Sequence, residues 1–408
     1  MKKLKLVLVA LVIVAIVATL AVTFASCSKS KGTVKIGLIT LHDSSSTYDK
    51  NFIDALAVAK ANLEADGYTV ETVVKSGIDE SNACYEAAAD LVDQGCTIIF
   101  ADSFGHEDYM IKAAKEFTDV TFCHATGTKA HTEKLANYHN AFASIYEGRY
   151  LAGVAAGMKL AAMYGEGNGA NVSAANAKVG YVGAFTYAEV MSGYTSWFLG
   201  VQSIVPAATM EVQFTGSWYD PTAEKEAANN LISRGAKLVS QHADSMGAPG
   251  ACEEANIPNV TYNVSTADDC PNTYIVASRI NWAPYYETVV KTVLAGETLA
   301  YDYTGTLSTG SVEVLAVGSA AADGTQAKLD EVKAKIISGE LKIFDTSKFT
   351  VAGVHPTTYT ADVDDYGDYV PETEAIANGV FQESKFRSAP YFNMEIDGIE
   401  LLNRKYGD

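Results

Sequence analysis

The chain has no basic run, no CxxC pair, no HExxH spacing, no GxSxG turn and no GxxxxGK[ST] loop. Each absence removes a class of function. Thirty Lys and Arg stand against 49 Asp and Glu, a formal charge of −19 that repels nucleic-acid phosphates. Without those three motifs, a zinc protease, a serine hydrolase of the elbow type and a P-loop nucleotidase lose their usual signatures. The cysteines other than Cys27 are Cys84, Cys96, Cys123, Cys252 and Cys270. They are odd in number and lack metal-type spacing, so neither a zinc site nor a disulfide framework is indicated. Cys252 and Cys270 either pair in an oxidising compartment or stay as buried free thiols. We expect no cofactor and no catalysis.

What is present begins with a leader. Lys2, Lys3 and Lys5 precede a continuous apolar run from Leu6 to Phe24, and Phe24-Ala25-Ser26-Cys27 puts small residues before a cysteine. This is a secretory signal arrangement, and it resembles a bacterial lipobox. Residues 1–26 then form a signal peptide, and residues 27–33 a polar tether lipid-anchored through Cys27. The alternative is an uncleaved helix, because the run approaches the roughly 20 residues that span a bilayer. Either way the body lies outside the cytoplasm, on a lipid-anchored extracytoplasmic face.

The remaining chain, about 380 residues, suffices for two domains. Val34 to Ile39 is a nearly all-apolar strand of the kind buried on both faces of a parallel sheet. Predicted helices and strands then alternate: helix 52–66, strand 69–74, helix 81–94, strand 97–101, helix 108–116 and strand 120–124. Residues 138–160 read as one crossover element carrying a small-residue helix, and the Gly/Asn-rich stretch 164–177 as a surface loop. From Lys178 a second unit repeats the layout, with strands near 179–183, 210–215, 237–240, 259–262 and 274–279. The fold class is therefore α/β, two doubly wound parallel-sheet lobes with a cleft between their loops. The expected lobes are 34–150 with about 280–305, and 151–279 with about 306–408.

Ligands of open α/β sheets bind at the carboxyl ends of the strands. The loops there hold Asp43, Tyr48 and Asp49, then Ser103 and Phe104, then His124, in the first lobe. The second offers Phe185, Trp218, Asp244, Asn281 and Trp282. Aromatic rings with carboxylates and almost no Lys or Arg suit a flat, neutral, nitrogen-rich ring, which stacks on the aromatics and donates N–H to the carboxylates. Each has a plainer alternative: the first loop as ordinary solvated surface, Trp218 or Phe185 as core. Asp43, Asp49, Asp102 and Asp244 could instead gather a metal, but their aromatic and Ser/Asn neighbours fit base recognition better than oxygen coordination.

The stretches VKIGLITLHDSSSTYDKNF, IIFADSFGHEDYM, IYEGRYLAGVAAG, VGYVGAFTYAEV, GSWYDPTAEKEAANNLISRGAKLVSQHADS and RINWAPYYETV together resemble the basic membrane protein family of ABC-transporter substrate-binding lipoproteins. The resemblance implies a periplasmic-binding-protein type I fold, hinge closure on a ligand, and delivery of a purine base or nucleoside to a permease with its ATPase subunits. It implies that Trp218 stacks on the base, with Tyr48 the opposing aromatic. The nucleoside binders grip ribose with an Asp and a Lys; here those places hold Asn263-Val264-Ser265 and Asn281-Trp282. The pattern His42-Asp43, His242-Asp244-Ser245 and Asn281-Trp282 is closer to a branch associated with free bases such as adenine. Base and nucleoside both remain open. The rival functions are a structural or adhesion lipoprotein of the same fold, and a receptor for another small ligand such as a sugar.

Overall fold

A computed structural model describes residues 31–363 and 370–404; the leader, Cys27 and most of its tether lie outside the described residues. The chain alternates strand and helix because its apolar residues fall in short blocks flanked by longer, one-sided apolar patterns. In β1 (Thr33–Ile39), Val34, Ile36, Leu38 and Ile39 are all buried, so both faces are covered. Around it lie β2 (Thr69–Lys75), β3 (Ile98–Ala101), β4 (Thr121–Ala125), β5 (Tyr138–Ala143) and, from much later in the chain, β11 (Asp302–Gly305). They form one sheet in the order β2-β1-β3-β4-β5-β11, parallel throughout.

The second sheet repeats that order. It holds β6 (Lys178–Gly183), β7 (Thr209–Phe214), β8 (Val239–His242), β9 (Asn259–Tyr262), β10 (Tyr274–Ile280) and β12 (Val312–Val314). The sequence across it is β7-β6-β8-β9-β10-β12, with β12 antiparallel and the C-terminal strand Ile399–Leu401 parallel outside β7. In each sheet the first strand lies between the second and third, so the loops after it diverge and leave a crevice. The chain passes between the sheets after β5, between β10 and β11, and between β11 and β12.

The reading of residues 138–160 as a single crossover is corrected. Tyr138–Ala143 is a fully buried strand, and the helix is Ile145–Tyr164. His139 and Asn140 disguise the strand. Each has a partner: His139 Nδ1 bonds Ala300 O at 2.9 Å, and Asn140 Nδ2 donates to buried Glu107 at 3.1 Å. The helix that follows packs against helix Ala188–Ile204 almost backbone to backbone. A methyl group on Gly153 would overlap the carbonyl oxygen of Trp197, so only glycine permits that approach.

Between helix Thr325–Ser338 and strand Ile399–Leu401 the described chain carries a 3-10 turn at Thr346–Lys348 and short ladders, with a ring cluster in which Phe344 and Phe392 stack at 4.4 Å. This C-terminal segment touches both lobes. Ser388 donates from its N–H at 2.9 Å and its hydroxyl at 2.7 Å to Asp302 of β11. Asn403 exchanges two 2.8 Å bonds with the backbone of Phe214 in β7.

Candidate functional site

The loop after β1 is organised by Asp49. Ser46 caps helix Thr47–Ala65, accepting from Asp49 N and donating its own hydroxyl to Asp49 Oδ2 at 2.5 Å. Asp49 Oδ1 accepts from His42 N at 2.8 Å, which folds the loop back over the helix start. Burial opposes the charge on Asp49, but hydrogen bonds from His42 and Ser46 outweigh it and hold the carboxyl below its usual range. The positive end of the helix dipole acts in the same direction. Asp102, fully buried behind it, goes the other way. Desolvation first, then the Asp49 charge, push its pKa well up. One carboxylate ionised and its neighbour neutral is the expected outcome for two acids sharing a site.

The lobes meet across this loop. Thr47 N donates to Asp244 O at 2.8 Å, the His42 and Tyr219 rings lie 5.3 Å apart, and the exposed rings of Phe104 and Tyr187 approach to 5.6 Å. Between these contacts is a narrow cavity, nearly closed by the approach of the two lobes, lined by Leu41, His42, Tyr48, Asp49, Ser103, Phe104, Thr126, Glu189, Trp218, His242, Asp244 and Tyr262. No Lys or Arg lines it. Tyr48 is fixed by its hydroxyl, which donates to Asp102 O at 2.8 Å. Trp218 is half-buried, edge-on to Phe185 at 5.0 Å, and its carbonyl accepts from Asp244 N at 2.9 Å. Asp244 is only 6% exposed, and burial, aided by the charge of Glu224, pushes its carboxyl pKa well up. A neutral carboxyl there both donates and accepts. His242 is kept neutral by burial, although Glu189 Oε1, 3.4 Å from its Nε2, favours the charged form.

Six of the expected residues therefore come together: Tyr48, Asp49, Ser103, Phe104, Trp218 and Asp244. Five lie elsewhere. Asp43 is exposed and caps Ser45 at 2.9 Å; its carboxyl is lowered by those serine bonds. His124 is buried beneath the floor, its Nε2 2.7 Å from Ser103 O, and burial holds its pKa down. Phe185 stands behind Tyr187 and Trp218. Asn281 spends its amide on Gly310 O and Glu313, and Trp282 stacks on Phe52 at 4.4 Å in the core.

Among the lining residues that were not candidates, Tyr262 and Thr126 sit at or just past the ends of predicted strands, which was the available signal. Glu189, in the first turn of a helix, gave none. Thr126 has φ +65°, a strained value for a β-branched residue. Glu107 pins the loop behind it, accepting from the N–H groups of Thr128 and Lys129 at 2.9 Å and from Tyr138 at 3.1 Å. Among the described residues no group of three or more His, Cys, Asp or Glu could hold a metal ion.

Residues 36–347 match the family described as ABC transporter substrate-binding protein PnrA-like. A purine-binding protein of Brucella abortus is 32% identical over 285 residues, 70% of this chain and 76% of that protein. A putative ABC transporter glucose-binding protein of Haloferax volcanii is 29% identical, over 62% of this chain and 60% of its own. Among solved structures, a solute-binding protein of an ABC transporter from Conexibacter woesei superposes with TM-score 0.59 at 23% identity, covering 76% of this chain and 98% of that one. One from Aeropyrum pernix gives 0.60 at 16%, covering 79% and 94%. These two speak to the fold.

Proposed function

This chain belongs to the PnrA-like family of ABC transporter substrate-binding proteins, and from that premise we propose that its inter-lobe cavity captures a purine base or purine nucleoside. The family role is that of an extracytoplasmic solute receptor working with a permease, not of an enzyme. No helix of the described residues is long and apolar enough to cross a membrane. The membrane attachment we propose is the lipid on Cys27, and Cys27→Ser should release the protein from the membrane fraction, whereas retention would point to an uncleaved leader helix.

The observation that carries the purine reading is the cavity lining: Tyr48, Trp218 and Tyr262 with Asp49, Asp244, Glu189 and His242, and no cation. A flat ring stacks on the aromatics, and its N–H edges meet acceptors. An acidic or phosphorylated ligand would meet like charge instead. The name of the Brucella relative agrees with this, and that of the Haloferax relative makes glucose the proper counter-ligand. Ligand is expected to hold the lobes shut, because only the closed state lets both sets of loops touch it.

Calorimetry on ligand-stripped protein against adenine, guanine, adenosine, guanosine and glucose tests the reading. Binding of at least one purine with glucose silent supports it. Tight glucose binding with no purine heat refutes it.

A further inference from the structure

The inner cavity adjoins a second, larger one of about 550 Å³, and Phe104, Thr126, Glu189 and Trp218 border both. The far wall of this outer compartment comes from Ala389, Pro390, Tyr391, Asn393 and Glu395. These residues lie beyond the matched stretch 36–347. Their position is fixed from both sides, by the Ser388–Asp302 bonds to the first lobe and by strand Ile399–Leu401 on β7 of the second. The wall therefore stands in front of whatever projects from the inner cavity.

We propose that this C-terminal wall selects the substituent carried by the bound ring, accepting a neutral hydroxylated group such as a ribosyl and rejecting a phosphorylated one, an inference that rests on the purine reading. Asn393 gives the compartment an amide, and the hydroxyls of Thr126 and Thr128, which donate to Ala125 O and Glu107, can accept from a ligand hydroxyl. Asn393 is exposed, and its Oδ1 accepts from Tyr359, which leaves its N–H₂ to face a ligand oxygen. Neither bordering cation is disposed to take a phosphate. Arg387 donates to the carbonyls of Val363, Ala389 and Pro390 at 3.2–3.3 Å, and Arg404 pairs with Glu395. Glu189 and Asp362 add negative charge to the same lining. Where the family resemblance implies ribose contacts from an Asp and a Lys, this chain has Asn263-Val264-Ser265 and Asn281-Trp282. The outer wall offers polar groups of its own.

The test is titration of the full mature chain and of Asn393→Trp and Asn393→Ala with a purine base, its nucleoside and its nucleoside 5′-monophosphate, with thermal melts alongside. Wild type should bind the nucleoside about tenfold tighter than the base, the scale of one or two added hydrogen bonds, and the monophosphate at least about tenfold more weakly than the nucleoside. Asn393→Trp, which fills the compartment, should remove the nucleoside advantage and leave base affinity within about twofold, since Asn393 does not border the inner cavity. Asn393→Ala should lose part of it with an unchanged melt. Equal affinity for base and nucleoside, untouched by either variant, overturns the role of the wall while the purine reading stands. Tight monophosphate binding overturns it too. Failure of every purine to bind removes the purine reading itself, and this inference with it.

Discussion

Trp218→Ala should weaken purine binding more than loss of any single carboxylate of the first loop. Trp218 borders both compartments, is half-buried, and is braced by Phe185 at 5.0 Å and Tyr187 at 6.1 Å, so its ring presents a preset face. Stacking of a base on an aromatic side chain is worth roughly 1–3 kcal/mol by alanine substitution. Desolvation in a closed cleft favours the upper part of that range. At about 1.4 kcal/mol per factor of ten, affinity should fall about 10- to 150-fold. The competing account is that Trp218 serves the core, since it also packs against the main apolar cluster. In that case the variant would melt earlier without a selective loss of affinity. Calorimetric titration beside thermal melts separates the two. Undiminished purine affinity in a folded Trp218→Ala protein would refute the placement of the site.

Asp244→Asn keeps the shape of the carboxyl but changes its donor and acceptor pattern, so the preference between amino- and oxo-purines should shift by about tenfold, where Trp218→Ala weakens both alike; an unchanged ratio counts against a base contact. Glu383 is buried, with Oε1 unpartnered, and burial pushes its pKa from 4.5 to about 7. Between those values only the folded state holds the proton, so stability falls as pH rises through that window, and Glu383→Gln should flatten the slope in urea melts. Gly153→Ala forces the two helices apart and should cost about 1–3 kcal/mol or more, read by chemical denaturation. Small-angle scattering should show contraction on adding ligand, because the cross-lobe contacts at Thr47–Asp244 and Phe104–Tyr187 belong to a closed cleft; an unchanged radius of gyration argues against closure.

The alternation of strands and helices was legible because parallel strands buried on both faces read as short apolar blocks. β5 was not, since Tyr138, His139 and Asn140 look polar until Glu107 and the Ala300 carbonyl supply their partners. The rule that ligands sit at strand ends pointed to Ser103, Trp218 and Asp244, which line the inner cavity. It could not tell Trp218 from Trp282, because an aromatic after a strand serves a cavity or a core equally well, and only the Phe52 stack decides. The C-terminal wall was invisible for another reason: residues 389–395 form no helix or strand, and the two-residue ladders before them leave no periodic signal.

The late strands bear on how the protein comes into being. β11 completes the edge of a sheet whose neighbouring strand ended at Ala143, and Ile399–Leu401 finishes the other sheet beside residues near 210. Neither lobe has its full complement of strands until most of the chain is available. Partners so distant in sequence make for slow folding, because long loops must close before their contacts reward them. The emerging chain meanwhile carries unpaired edges at β5 and β7, the kind of surface that recruits stray strands. Expressing residues 31–143 alone should therefore yield an aggregation-prone fragment, and adding residues 283–305 in trans should improve its solubility.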